Sequence, residues 1–131
     1  MIDGDTIELS DGRLVRYIGI DTPEVRRRAG GRWVEDPEPF GRAATEANRA
    51  LVEGRQVRLE YDVQRTDRFG RLLAYVYVTL PDGSEAMVNE RLVADGMAQP
   101  LTIPPNVAYA ERFRARAAEA RRDRRGLWSG P

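Results

Sequence analysis

The sequence predicts an α+β fold, a small β-barrel with about three packed helices. Two observations carry the prediction. Short apolar–polar alternations separated by turn signals fill the first half, with one helical stripe inserted after the third of them. The remaining helical patterns gather toward the C-terminal end. The 131 residues suit one compact domain spanning 1–131 rather than two.

Each element follows in order. Ile7 and Leu9 alternate with polar neighbours, and Asp11-Gly12 is a tight-turn signal. Leu14-Val15-Arg16-Tyr17-Ile18-Gly19-Ile20 reads as a second strand. Residues 21 to 38 read as a long polar loop, punctuated by Pro23, Gly30-Gly31 and Pro37. Phe40, Ala44, Ala47 and Leu51 form one apolar helical stripe that Gly54 ends. Val57, Leu59 and Tyr61 alternate as a strand, residues 62 to 70 make a charged connection, and Leu72 to Thr79 is a long strand. Pro81-Asp82-Gly83 is a turn, and a short helix over residues 88 to 95 closes on Gly96. After a proline-containing loop at residues 101 to 106, a last helix begins near Val107. In it Ala110, Phe113, Ala117 and Ala120 share a face, while Arg112, Arg116, Glu119 and Arg122 are expected in solvent. Gly126-Leu127-Trp128 is a stop followed by an apolar anchor folded back onto the body. This order fits a five-stranded Greek-key barrel of the OB type with added helices.

Composition narrows the chemistry. There is no cysteine and no histidine, which removes thiol chemistry, the commonest general base and the usual zinc ligand. Catalysis near neutral pH must then rest on carboxylates, arginines and hydroxyls, with or without a metal. All 21 basic residues are arginine, which makes two-point contacts with phosphate, although codon bias explains the same preference. The net charge of zero speaks against broad non-specific coating of nucleic acid, but not against a cleft that grips a few phosphates. No apolar run approaches the roughly 18 residues of a spanning helix. No leader pattern opens the sequence, because Met1-Ile2-Asp3-Gly4-Asp5 turns polar at once; an upstream leader or anchor is left open.

Four segments concentrate charge where strands should turn into loops: Ile2-Asp3-Gly4-Asp5-Thr6, Arg16, Asp21-Thr22-Pro23-Glu24, and the run from Gln64 to Arg71. Singly, each reads as a turn, a cap or a solvated side chain. Together they say more. Asp5 and Asp21 fall at the ends of strands that a hairpin makes neighbours, and two carboxylates brought close repel unless a cation sits between them. With no nitrogen or sulfur ligands, a hard ion such as calcium or magnesium is favoured over zinc. Arg16 and Arg71 would supply charge to a phosphate there, and Glu24 is placed to polarise a water, which is a phosphodiesterase layout. One objection is geometric. Arg16 and Asp21 are five residues apart and should face opposite ways on a regular strand, so a bulge at Gly19 or an early strand end is required.

These segments, with Leu73-Ala74-Tyr75-Val76-Tyr77, Met87-Val88-Asn89-Glu90 and Gly126-Leu127-Trp128-Ser129, resemble the staphylococcal nuclease (thermonuclease) family in order and approximate spacing. The resemblance implies a calcium-dependent nuclease that hydrolyses single- and double-stranded DNA and RNA to 3′-phosphorylated products. Asp5 and Asp21 would bind calcium through carboxylate and Thr22 through its carbonyl. Glu24 would handle the attacking water, as base or orienting group. Arg16 and Arg71 would contact the scissile phosphate, and Arg68 a nucleotide phosphate. A monomer acting on denatured or single-stranded nucleic acid is expected, at work outside the cytoplasm by family habit. There are departures. Most of the family's first strand is missing before the Asp-Gly-Asp motif, Phe69 stands where the family has a phosphate-binding tyrosine, and residues 99 to 106 lack the pocket tyrosines. Two rivals remain: a nuclease-like module that binds nucleic acid or protein without cutting, and a plain OB module stacking bases on Tyr75 and Tyr77.

Overall fold

The alternating segments pair into ladders in the computed structural model, which describes residues 3–23, 26–29, 32–35 and 41–129, the two short middle segments as backbone alone. The strands are β1 (Thr6–Glu8), β2 (Leu14–Tyr17), β3 (Ile20–Asp21), β4 (Arg26–Ala29), β5 (Arg32–Glu35), β6 (Val57–Glu60), β7 (Leu72–Thr79), β8 (Glu85–Met87) and β9 (Gln99–Pro100). The helices are α1 (Gly41–Val52), α2 (Val88–Ala94) and α3 (Ala110–Arg122), with a single 3-10 turn at Gly126–Trp128. None of the described helices is long and apolar enough to cross a membrane.

β7 organises the sheet. Its first residues pair in parallel with β2, Val15 opposite Leu72 and Tyr17 opposite Ala74. Its later residues pair antiparallel with β6 on one edge and β8 on the other, Leu59 facing Val76 and Ala86 facing Val78. β1 completes a five-stranded sheet by pairing antiparallel with β2, Thr6 opposite Arg16. Among the described residues these ladders do not close into a ring. The α+β class, the five-stranded sheet and the three helices follow the sequence prediction.

Alternation along β7 buries both faces. Ala74, Val76 and Val78 are fully buried on one side, and Tyr75 is equally buried on the other, where its ring meets Tyr109 edge-on at 4.6 Å and Phe113 at 6.2 Å. A side chain under α3 cannot stack a base, so Tyr75 is core. Tyr77 is half-buried, with the Arg58 guanidinium 4.1 Å from its ring centre. α3 seats Phe113, Ala117 and Ala120, spaced for one helical face, and the Glu90–Arg112 pair joins α2 to α3 through two hydrogen bonds of 2.7 Å. The tail returns as expected: Leu127 donates its backbone N–H to Gly96 at 2.8 Å.

Three expectations are corrected. The strand through residues 14 to 20 breaks at Ile18-Gly19, because Gly19 takes φ +82° and turns the chain. Part of the 21 to 38 loop is a hairpin, β4 antiparallel to β5; its arginine-rich strands hide the two-residue Gly30-Gly31 spacing, which is itself a hairpin signal. The buried face of α1 is Gly41, Ala44, Asn48 and Val52, with Ala47 and Leu51 only half-buried. A polar residue thus occupies a core position. Phe40 lies outside the described residues.

Candidate active site

The break at Gly19 removes the geometric objection. β2 ends at Tyr17, the chain turns, and β3 begins at Ile20, so Arg16 and Asp21 no longer share one pleat. A Cβ at Gly19 would lie 2.5 Å from the Phe113 ring, so α3 packs directly onto the turn. Arg16 reaches along the broken strand. Its Nη1 donates to the carbonyls of Tyr17 (2.5 Å) and Ile20 (3.0 Å). Its Nη2 stands 3.4 Å from Asp5 Oδ2 and 3.8 Å from Asp21 Oδ1. One guanidinium therefore faces both carboxylates.

Exposure separates the members of this cluster. The Arg16 and Asp5 side chains are 17 % and 15 % exposed, whereas Asp21 is 60 % exposed. Water screens the inner Arg16–Asp5 attraction much less than the outer Arg16–Asp21 one. Thr6 donates its hydroxyl to Asp5 Oδ1 at 3.2 Å. Thr22 is buried next to Asp21, its hydroxyl against Gly4. Glu24 lies outside the described residues.

Arg16 and Arg71 line the same groove, a concavity of about 290 Å³ walled by Gln64, Asp67, Leu73, Leu101, Ile103 and Asn106. Asp67 fixes Arg71. Its Oδ1 accepts the backbone N–H of Phe69 (2.9 Å) and of Arg71 (3.0 Å), while Oδ2 accepts Arg71 Nε at 2.7 Å. Burial alone would raise the Asp67 pKa, but those hydrogen bonds and the Arg71 charge outweigh it and hold the carboxyl below its ordinary 3.8. Arg68 stands outside the groove lining, exposed, with its guanidinium 4.9 Å from the Phe69 ring centre.

Several groove residues carried no assigned role in the sequence reading. Asp67 was within reach of it, because Asp67 followed three residues later by Gly70 is a turn signature. Asn106 was not. Its side chain accepts from the Gln64 backbone N–H and donates to the Gln64 carbonyl, both at 2.8 Å, tying two loops 42 residues apart. Among the described residues, no three histidine, cysteine, aspartate or glutamate side chains group as a metal-binding cluster. Neither Asp5 nor Asp21 lines the groove; their carboxylates meet at Arg16 beside it, and carboxylate oxygens are hard ligands of the kind calcium and magnesium take.

The chain is similar to known proteins over nearly its whole length. A family model of staphylococcal nuclease homologues matches residues 14–130. The chain is 37 % identical to a thermonuclease of Staphylococcus hyicus, with 98 % of this chain and 72 % of that protein aligned. It is 38 % identical to endonuclease YncB of Bacillus subtilis (strain 168), over 98 % of this chain and 58 % of that protein. It is 37 % identical to the SPbeta prophage-derived endonuclease YokF of the same strain, again over 98 % of this chain but 42 % of that protein. With a family match across nearly its whole length and identities of this size, the chain belongs to the staphylococcal nuclease homologue family.

Proposed function

We propose that this protein is a calcium-dependent nuclease that hydrolyses phosphodiester bonds of DNA and RNA and leaves 3′-phosphorylated ends. The observation that carries the reading is the convergence of Asp5 and Asp21 on Arg16, at a groove Arg71 also lines. Relatives named thermonuclease and endonuclease support the reaction class. The carboxylates of Asp5 and Asp21 and the carbonyl of Thr22 would hold calcium, which when bound supplies Lewis-acid neutralisation of charge on the phosphate.

The chain's own residues do the rest. Arg16 is anchored by two carbonyls before substrate arrives, so its charge is in place without reorganisation as negative charge develops on the phosphoryl oxygens. Arg71, oriented by Asp67, offers a second cation to the same phosphate. Glu24 takes a proton from the attacking water or orients that water. Arg68, at the rim, meets a neighbouring phosphate. The test is cleavage of denatured DNA and of RNA in calcium, with and without chelator, by wild type, Glu24→Gln and Arg71→Ala. Calcium-dependent cutting that both substitutions abolish supports the enzyme. Retention of nucleic acid with no cutting in any condition would replace it with a binding module.

A further inference from the structure

The turn that carries Asp5 is held from the helix side. Asn48, fully buried on α1, donates from its amide to the Asp3 carbonyl at 2.6 Å and to the Thr6 carbonyl at 3.4 Å. Its Oδ1 accepts the Tyr17 hydroxyl. Tyr17 in turn donates its backbone N–H to the Asp5 carbonyl at 2.9 Å. Asp5 is therefore bracketed on both sides by one network. A Cβ at Gly4 would lie 2.5 Å from Thr22 Oγ1 and 3.0 Å from Ala44 Cβ, so the turn is wedged between α1 and the residue that follows Asp21.

A buried amide is costly unless its hydrogen bonds are made, and an aliphatic side chain would fill that helix face more simply. Here all the polar groups of Asn48 point at the segments that place Asp5 and Arg16. We infer that Asn48 is a positioning residue for the cation site: it pins the turn over residues 3 to 6 to α1 and so sets where the Asp5 carboxylate stands relative to Asp21. The inference rests on the calcium reading above. A cation site with one ligand on an unpinned turn must order that turn on binding, which weakens affinity without changing the ligands themselves.

The test is calorimetric calcium titration of the full chain, with thermal melts in chelator, for wild type, Asn48→Ala, Asn48→Leu and the core control Val78→Ala. Asn48→Ala should bind calcium about tenfold more weakly. Val78→Ala, also destabilised in the melts but remote from the turn, should keep the wild-type Kd. A folded Asn48→Ala with wild-type Kd overturns the inference, and so does equal weakening in Val78→Ala. Where Asn48→Ala does not fold, Asn48→Leu decides, since it keeps the side-chain volume and removes both amide bonds to the turn: weaker binding supports the role and an unchanged Kd overturns it. A wild type that takes up no calcium overturns this inference together with the reading beneath it.

Discussion

At Arg16 a single guanidinium faces four oxygens, two backbone carbonyls and two carboxylates, and each pair does a different job. The carbonyls fix its orientation; the carboxylates are kept from repelling one another by its charge. Arg16→Ala should therefore fail twice. Turnover on denatured DNA should fall about a hundredfold to a thousandfold in initial-rate assays, the loss typical of a removed charge-stabilising donor. In chelator the variant should also melt below wild type, and calcium should restore more of its melting temperature than it adds to wild type, because Asp5 and Asp21 then lack a shared cation. Asp67 acts one step further out. Asp67→Asn weakens the hold on Arg71 Nε without removing any group from the phosphate, so kcat should drop roughly tenfold to a hundredfold with little change in KM. An unchanged kcat would show that Arg71 is placed by the groove alone.

Elements set the distances those residues use. The break between β2 and β3 lets Arg16 Nη2 approach Asp21 Oδ1, and it depends on Gly19 at φ +82° packed against Phe113 of α3. Gly19→Ala brings a left-handed backbone strain of roughly 1–3 kcal/mol, before the overlap with the Phe113 ring is counted. Urea unfolding should show a loss of unfolding free energy of at least that size. Activity should fall further than stability accounts for, since relieving the overlap shifts the turn between Arg16 and Asp21. A variant with lowered stability but full activity would separate the turn from the site. The groove walls are held in the same manner, by Asn106 joining the loop before β7 to the loop before α3.

For the whole molecule, titration behaviour follows from a few buried or paired groups. Asp67 is held below 3.8 as described, and Asp62 likewise: burial opposes its ionisation, but hydrogen bonds from the Tyr75 hydroxyl and the Ala108 and Val63 N–H groups outweigh it. A carboxyl with a lowered folded pKa contributes stability that is present above its unfolded value and is lost as pH falls through the folded one. Melting temperature should hold down to about pH 4 and decline below it, and Asp67→Asn should flatten that limb. At the alkaline end Tyr17 is raised above 10.0 chiefly by burial, and Tyr75 by burial together with its bond to Asp62. Their stabilisation is complete below pH 10 and is lost as pH rises beyond it. A melting profile that falls already between pH 5 and 9 would mean other groups govern stability.

The fold was legible to the extent that it is local. Periodicity located β7 to the residue, the helix closing before Gly96, and the packed face of α3, because a strand or helix with one buried side must write its period into the chain. Strands of two or three residues, β8 and β9, carry too few positions to show a period. The β4–β5 hairpin, Arg-Arg-Arg-Ala against Arg-Trp-Val-Glu, shows none either, because its sequence carries no apolar–polar alternation. Asn48 escaped because its partners, Asp3, Thr6 and Tyr17, lie more than thirty residues away in sequence.

What the sequence determined by itself was the chemical inventory. Without histidine, cysteine or lysine, a bound cation would meet only oxygen ligands from the side chains and backbone, and arginine is the one cationic side chain left for a phosphate; a residue type is set by the codon that specifies it. What only the tertiary structure decided was proximity: that Arg16 stands between Asp5 and Asp21, that Asp67 grips Arg71, and that a helix clamps the turn before β1. Coulomb and hydrogen-bond energies depend on distances of a few ångström between atoms far apart along the chain, and those distances exist only once the core has closed.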